Sequence, residues 1–95
     1  MISSKDRAKL KSIIATQSPV FQVGKDGLSK NNIDGIGQVL KARELIKINI
    51  LQNCELTPKD IATELEQKLN CSVVSVIGRK VILYKLNPKL TNHVL

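Results

Sequence analysis

The segment Val20–Ile50, VFQVGKDGLSKNNIDGIGQVLKARELIKINI, limits what this chain can fold into more than any other. It spells strand, glycine-flanked loop, helix and strand with few residues to spare. Val20–Val23 is a β-branched and aromatic run stopped by Gly24, and helical spacing of apolar residues starts just after Ser29, whose hydroxyl stands where a helix N-cap belongs. Ile33, Ile36, Val39 and Leu40 then recur at i, i+3, i+6 and i+7, the pattern of a buried helical face. Gly35 and Gly37 interrupt that helix at a cost of about 1 kcal/mol each relative to alanine, and close packing against a sheet accounts for them. Leu45–Leu51 alternates, sending Ile46, Ile48 and Ile50 to one side and Leu45, Lys47 and Asn49 to the other, so one sheet face is core and the other partly polar.

The flanking sequence extends the same logic. From Ser3 or Ser4 a helix is expected with Leu10, Ile13 and Ile14 on one stripe and Lys5, Arg7, Lys9 and Lys11 around the rest. Thr57-Pro58-Lys59-Asp60 supplies a hydroxyl cap, a proline at the first helical position and an acid three residues after the cap, and Ile61, Leu65 and Leu69 continue as an apolar stripe. Ser72–Ile77 and Val81–Tyr84 are β-rich runs joined by Gly78-Arg79-Lys80, a hairpin with a basic tip. From Leu86 onward, with Pro88 and little pattern, a loosely held tail is expected, giving one domain over 1–86 and a tail over 87–95. The order is αβαβαββ. Helices between strands require right-handed crossovers and the last two strands can pair antiparallel, so the fold class is α+β, a two-layer α/β arrangement with a mixed four-stranded sheet.

Charge narrows the function. The chain of 95 residues carries 15 Lys and Arg against 8 Asp and Glu, a net of +7. Residues 55–70 hold Lys59 and Lys68 against Glu55, Asp60, Glu64 and Glu66, a net of −2, which leaves +9 on the remainder. The field is therefore two-sided, acidic on the third helix and basic elsewhere, and suits a polyanion. No apolar run is long enough to span a bilayer and the N-terminal MISSKDRAKLK lacks the apolar stretch of a secretion signal, so a cytoplasmic protein without membrane contact is expected. Cys54 and Cys71 match no zinc spacing and are read as reduced thiols.

Catalysis finds no footing in the residues. The only histidine, His93, falls in the tail, and no two carboxylates fall where elements would converge. The Gly24 loop lacks the third glycine of a dinucleotide site. No enzyme, cofactor, metal or small-molecule substrate is expected.

Donors for nucleic acid are plentiful. Lys25 and Lys30 lie at the loop and helix start, Lys41 and Arg43 at the helix end, Lys47 on the polar side of the second strand, and Arg79, Lys80 and Lys85 around the hairpin. Together they suggest a basic band away from the third helix. Gly24-Lys25-Asp26-Gly27 brings two residues tolerant of φ > 0 and one cation to a helix N-terminus, where backbone N–H groups and the helix dipole favour a phosphate. Phe21 and Tyr84 are the only aromatics, so a base-stacking sheet is not expected and recognition rests on phosphates and shape. Glu44, between Arg43 and Lys47, reads as an ion-pairing residue that orients a neighbouring cation. The rival to RNA binding is a protein-interaction adaptor that docks through the acidic third helix.

VGKDGL, KARELIKI and IGRKVILYK, in this order and spacing, resemble the CRM domain (chloroplast RNA splicing and ribosome maturation) in its free-standing bacterial YhbY/YqeI-type form, over about Ser4–Lys85. The resemblance implies a sheet of order 1-2-4-3, similar to the C-terminal domain of translation initiation factor three. It also implies an RNA-binding protein associated with precursors of the large ribosomal subunit, whose ribosomal RNA is the expected partner; a monomer is expected. By position, Gly24, Lys25, Asp26 and Gly27 fall on the family's GxxG loop, likened to the RNA-clamping loop of KH domains. Arg43, Glu44, Leu45 and Lys47 fall on its REL-K segment, and Gly78, Tyr84 and Lys85 on its C-terminal segment, with Lys85 where the family often has arginine.

Overall fold

The computed structural model describes residues 2–90 and 93. Its elements are α1 (Ser4–Ile14), β1 (Phe21–Val23), α2 (Lys30–Arg43), β2 (Leu45–Ile50), α3 (Pro58–Leu69), β3 (Ser72–Ile77) and β4 (Lys80–Tyr84). The helix starts are set by local hydroxyls: Ser3, Ser29 and Thr57 each accept the backbone N–H three residues on, from Asp6, Asn32 and Asp60. At α1 the Asp6 carboxylate returns the bond to the Ser3 N–H, completing a capping box.

The strands form one sheet of order β1-β2-β4-β3. β1 pairs parallel with β2, as the crossover through α2 requires, and β4 pairs antiparallel with both β2 and β3. This is the mixed sheet expected from the sequence, in the order that the resemblance to the CRM domain implies. Alternation along the strands then separates two cores. Ile46, Ile48, Ile50, Val81 and Leu83 meet Ile36 and Leu40 of α2 and Ile61 and Leu65 of α3 on one face. Leu45, Ile82, Tyr84 and Val74 meet Leu10 and Ile14 of α1 on the other. The two-layer expectation is corrected here. Because Leu45, Ile82 and Tyr84 put an apolar patch on the second face, α1 covers it and the sheet lies between helices.

A side chain of α1 also supports the sheet from outside the ladders. In β3 the register shifts between Val73 and Ser75, leaving an extra residue on an edge strand. Arg7, expected on the solvent side of α1, donates from Nε to the Val74 carbonyl at 3.0 Å and from Nη2 to the Val73 carbonyl at 3.2 Å, so it closes the irregularity. The glycines of α2 are explained by close approach. A Cβ at Gly35 would sit 2.9 Å from Phe21 Cε2 of β1, and one at Gly37 would sit 3.1 Å from Leu69 Cδ2. Gly35 therefore faces the sheet as expected, whereas Gly37 makes room for α3.

The candidate nucleic-acid interface

The Gly24-Lys25-Asp26-Gly27 loop is a tight turn closed by the Gly27 N–H on the Gly24 carbonyl at 2.9 Å. Gly27 has φ of +58°, a conformation that costs a side-chain-bearing residue about 1 kcal/mol or more. Its carbonyl accepts Asn32 Nδ2 at 2.6 Å, which fastens the loop to the first turn of α2. Lys25 and Asp26 are exposed at the tip, and Lys30 is exposed at the start of α2. The concavity beside the loop is lined by Lys25 and Asp26 together with Glu55 and Glu64. Three carboxylates thus face one ammonium, and the loop borders the acidic helix instead of lying away from it. The lining of that concavity is net negative, which disfavours an anion there.

Sheet alternation divides the other expected cations between two faces, so they form separate groups and no single band. Lys47 shares the α1 side of the sheet with Leu45, and Lys80 shares it with Ile82; both line one concavity with Lys11. Lys85 falls on the opposite side, where it lines a cleft with Lys41 at the end of α2 and Lys68 at the end of α3. Sequence reasoning missed Lys11 and Lys68. Lys11 reads as one of four cations spread around a helix, and Lys68 is counted within an acidic segment; the signal available for both is a position in the last turn of a helix, where the carbonyl end attracts cations.

Several of these cations have structural duties. Arg79 donates from Nε to the Ile50 carbonyl at 2.7 Å and from Nη2 to the Leu51 carbonyl at 2.6 Å, while its own carbonyl accepts the Ile50 N–H at 2.7 Å. It clasps the end of β2 and is half-buried there. Lys47 Nζ donates to the Gln17 carbonyl and Lys85 Nζ to the Leu69 carbonyl, both at 2.8 Å, which leaves each ammonium with further N–H groups for a ligand. Among the described residues, the side chains of Lys25, Lys30, Lys41, Arg43 and Lys80 make no hydrogen bond or ion pair and are exposed.

Glu44 departs from its expected role. It is fully buried, caps α2 with φ of +65°, and its carboxylate accepts the Asn87 N–H at 2.8 Å and stands 2.7 Å from His93 Nδ1. The segment after β4 is joined to this junction by further bonds, from the Lys85 N–H to the Glu44 carbonyl and from Asn87 Nδ2 to the Lys41 carbonyl, each at 2.8 Å. These bonds tie the α2–β2 corner to the chain beyond the sheet. The carboxylate points inward, to the Asn87 N–H and the His93 ring, rather than out along the exposed surface.

Cys71 is buried, and burial, reinforced by Glu66, pushes its thiol up to about 11. Cys54 is buried as well, and both are free thiols. No group of three or more His, Cys, Asp or Glu among the described residues could hold a metal ion. No helix among them is long and apolar enough to cross a membrane.

Comparison with known proteins gives a consistent result. A family model for the CRS1 / YhbY (CRM) domain matches residues 2–85. The chain is 41% identical over 85 residues to "Probable RNA-binding protein YqeI" of Bacillus subtilis (strain 168), covering 90% of this chain and 88% of the relative. Its fold matches a solution structure of "the hypothetical protein SAV1595 from Staphylococcus aureus, a putative RNA binding protein" with a TM-score of 0.79 at 34% identity, over 94% of this chain and 93% of the other. With the strand order, the GxxG turn and the RELIK corner all in place, the chain belongs to the CRS1 / YhbY (CRM) domain family.

Proposed function

We propose that this protein binds structured ribosomal RNA in precursors of the large ribosomal subunit and catalyses no reaction. The observation that carries the reading is the set of exposed cations with no partner among the described residues, Lys25, Lys30, Lys41, Arg43 and Lys80, set against an acidic α3. Such unpaired groups are available to phosphates, whereas ion-paired ones would first have to be released. The RNA-binding names of the relative and of the structural neighbour support the same reading. Lys47, Lys85 and the outer side of Gly24–Gly27 add contacts, and Arg79 contributes mainly by holding the hairpin in place. The binding unit is the domain over 1–86, acting as a cytoplasmic monomer, with RNA rather than a small molecule or a membrane as its partner.

Sedimentation tests this directly. In a sucrose gradient of cell lysate at low salt and low magnesium, the protein is expected to travel with large-subunit precursors more than with mature ribosomes. A pool confined to the top of the gradient contradicts the reading.

A further inference from the structure

The concavity between the end of α1 and the β3–β4 hairpin combines two features that the GxxG concavity lacks. Its rim carries Lys11, Lys47 and Lys80 and no carboxylate, and its floor and wall are apolar, made by Ile14, Ile77 and Ile82. Ile77 is 55% exposed although it belongs to a strand. Lys11 and Lys47 have a local use, since α1 ends there and Lys47 already holds the Gln17 carbonyl. Lys80 has none: its side chain bonds to nothing among the described residues and it lies on the same sheet face as Ile82. Amines around an exposed apolar wall complement a nucleotide, whose phosphate needs cations and whose base gains from apolar contact. At about 320 Å³ the concavity is at the small end for an engulfed ligand and suits one unit of a strand lying across the surface.

We infer that this concavity is a second RNA contact on the sheet face opposite α2 and α3, in which Lys11, Lys47 and Lys80 hold backbone phosphate and Ile77 carries an unpaired base. The inference rests on the RNA-binding reading above and adds a contact to it. One RNA then touches both the GxxG side and the α1 side, so the domain is gripped around its hairpin end rather than along one face.

The test uses the full chain and a fluorescein-labelled RNA hairpin with an unpaired loop. Lys11→Gln combined with Lys80→Gln removes two cations whose side chains make no hydrogen bond or ion pair among the described residues, the unfolding midpoint reporting any loss of the Lys11 charge at the end of α1, and Ile77→Ser alters the wall; Lys47 is kept because it bonds Gln17. With unfolding midpoints unchanged, the double variant is expected to flatten the slope of log K against log salt by about 1.4, the value for two phosphate contacts to a single strand. Ile77→Ser is expected to weaken binding at unchanged slope. In the parent, added RNA is expected to shift the amide resonances of Ile77 and Ile82. A parent that binds with both slope and affinity untouched by all three changes overturns this contact and leaves the RNA-binding reading standing. A parent that binds no RNA overturns both. Polyglutamate that shifts the Ile77 and Ile82 resonances as strongly as RNA at equal charge overturns it in favour of an acidic protein partner.

Discussion

The Glu44 carboxylate accepts the backbone N–H of Asn87 at 2.8 Å across 43 residues of sequence, and it does so from a fully buried position with a positive φ of 65°. A carboxylate buried at a helix-to-strand corner is tolerable only where donors meet it. Here the donor comes from the chain just past β4, so the corner that presents Arg43 and Lys47 is held by the same bond that fixes the exit from the sheet.

Removing that carboxylate is therefore a stability experiment. Glu44→Ala is expected to cost about 2–4 kcal/mol, because it leaves the Asn87 N–H without its acceptor and opens a cavity. Glu44→Gln retains an acceptor oxygen and is expected to cost less. Urea unfolding compares the two, and equal stability of Glu44→Ala and the parent contradicts the assignment.

Arg79 gives a second test of structural against binding roles. Its two bonds to the Ile50 and Leu51 carbonyls predict that Arg79→Ala lowers stability by about 1–3 kcal/mol. Arg79→Lys is expected to recover only part of this, since a point ammonium cannot reproduce the fork. An Arg79→Ala protein as stable as the parent, with weakened RNA binding, returns Arg79 to the RNA contacts.

Much of the fold was legible because it is locally encoded. Ser29 and Thr57 stand three residues before the N–H groups they accept, and β2 shows its two faces by simple alternation. The duties of Arg7, Arg79 and Glu44 were not legible, since each depends on a partner that the sheet register brings from 28 to 67 positions away. The two-layer expectation failed because periodicity showed that α1 has an apolar stripe without showing which sheet face it covers. The candidate site was legible as a set of cations and a turn. Its grouping was not, because summing charge along the chain cannot reveal that Glu64 of α3 lines one concavity with Lys25.

That proximity makes the loop sensitive to charge. Lys25→Ala is expected to weaken RNA binding and flatten the salt slope by about 0.7 to 0.9, the value of a single phosphate neutralised by one cation. Asp26→Lys is expected to strengthen binding, since it removes one of the three carboxylates facing Lys25. Fluorescence anisotropy over a salt series measures both. Variants that match the parent in affinity and slope reduce the loop to a turn.

The raised Cys71 thiol has a pH consequence of definite sign. Its folded value of about 11 lies above the ordinary 9.0, so its contribution to stability is complete below 9.0 and is lost as the pH rises toward 11. Tyr84, also raised by burial, adds to the alkaline loss in parent and variant alike. Cys71→Ala is thus expected to show a shallower fall in stability across that window, read by urea midpoints. Native Cys71 is further expected to resist alkylation at neutral pH and to react once unfolded.

Binding of RNA by the exposed cations of this domain stands or falls with the affinity of the parent protein for large-subunit precursor RNA, measured across a salt series. A linear, steep fall of log K with log salt is expected, with a slope of about −0.7 to −0.9 per phosphate touched and several phosphates touched in all. Affinity that stays level as salt rises, or binding to a protein partner through α3 with no measurable affinity for the RNA, contradicts it.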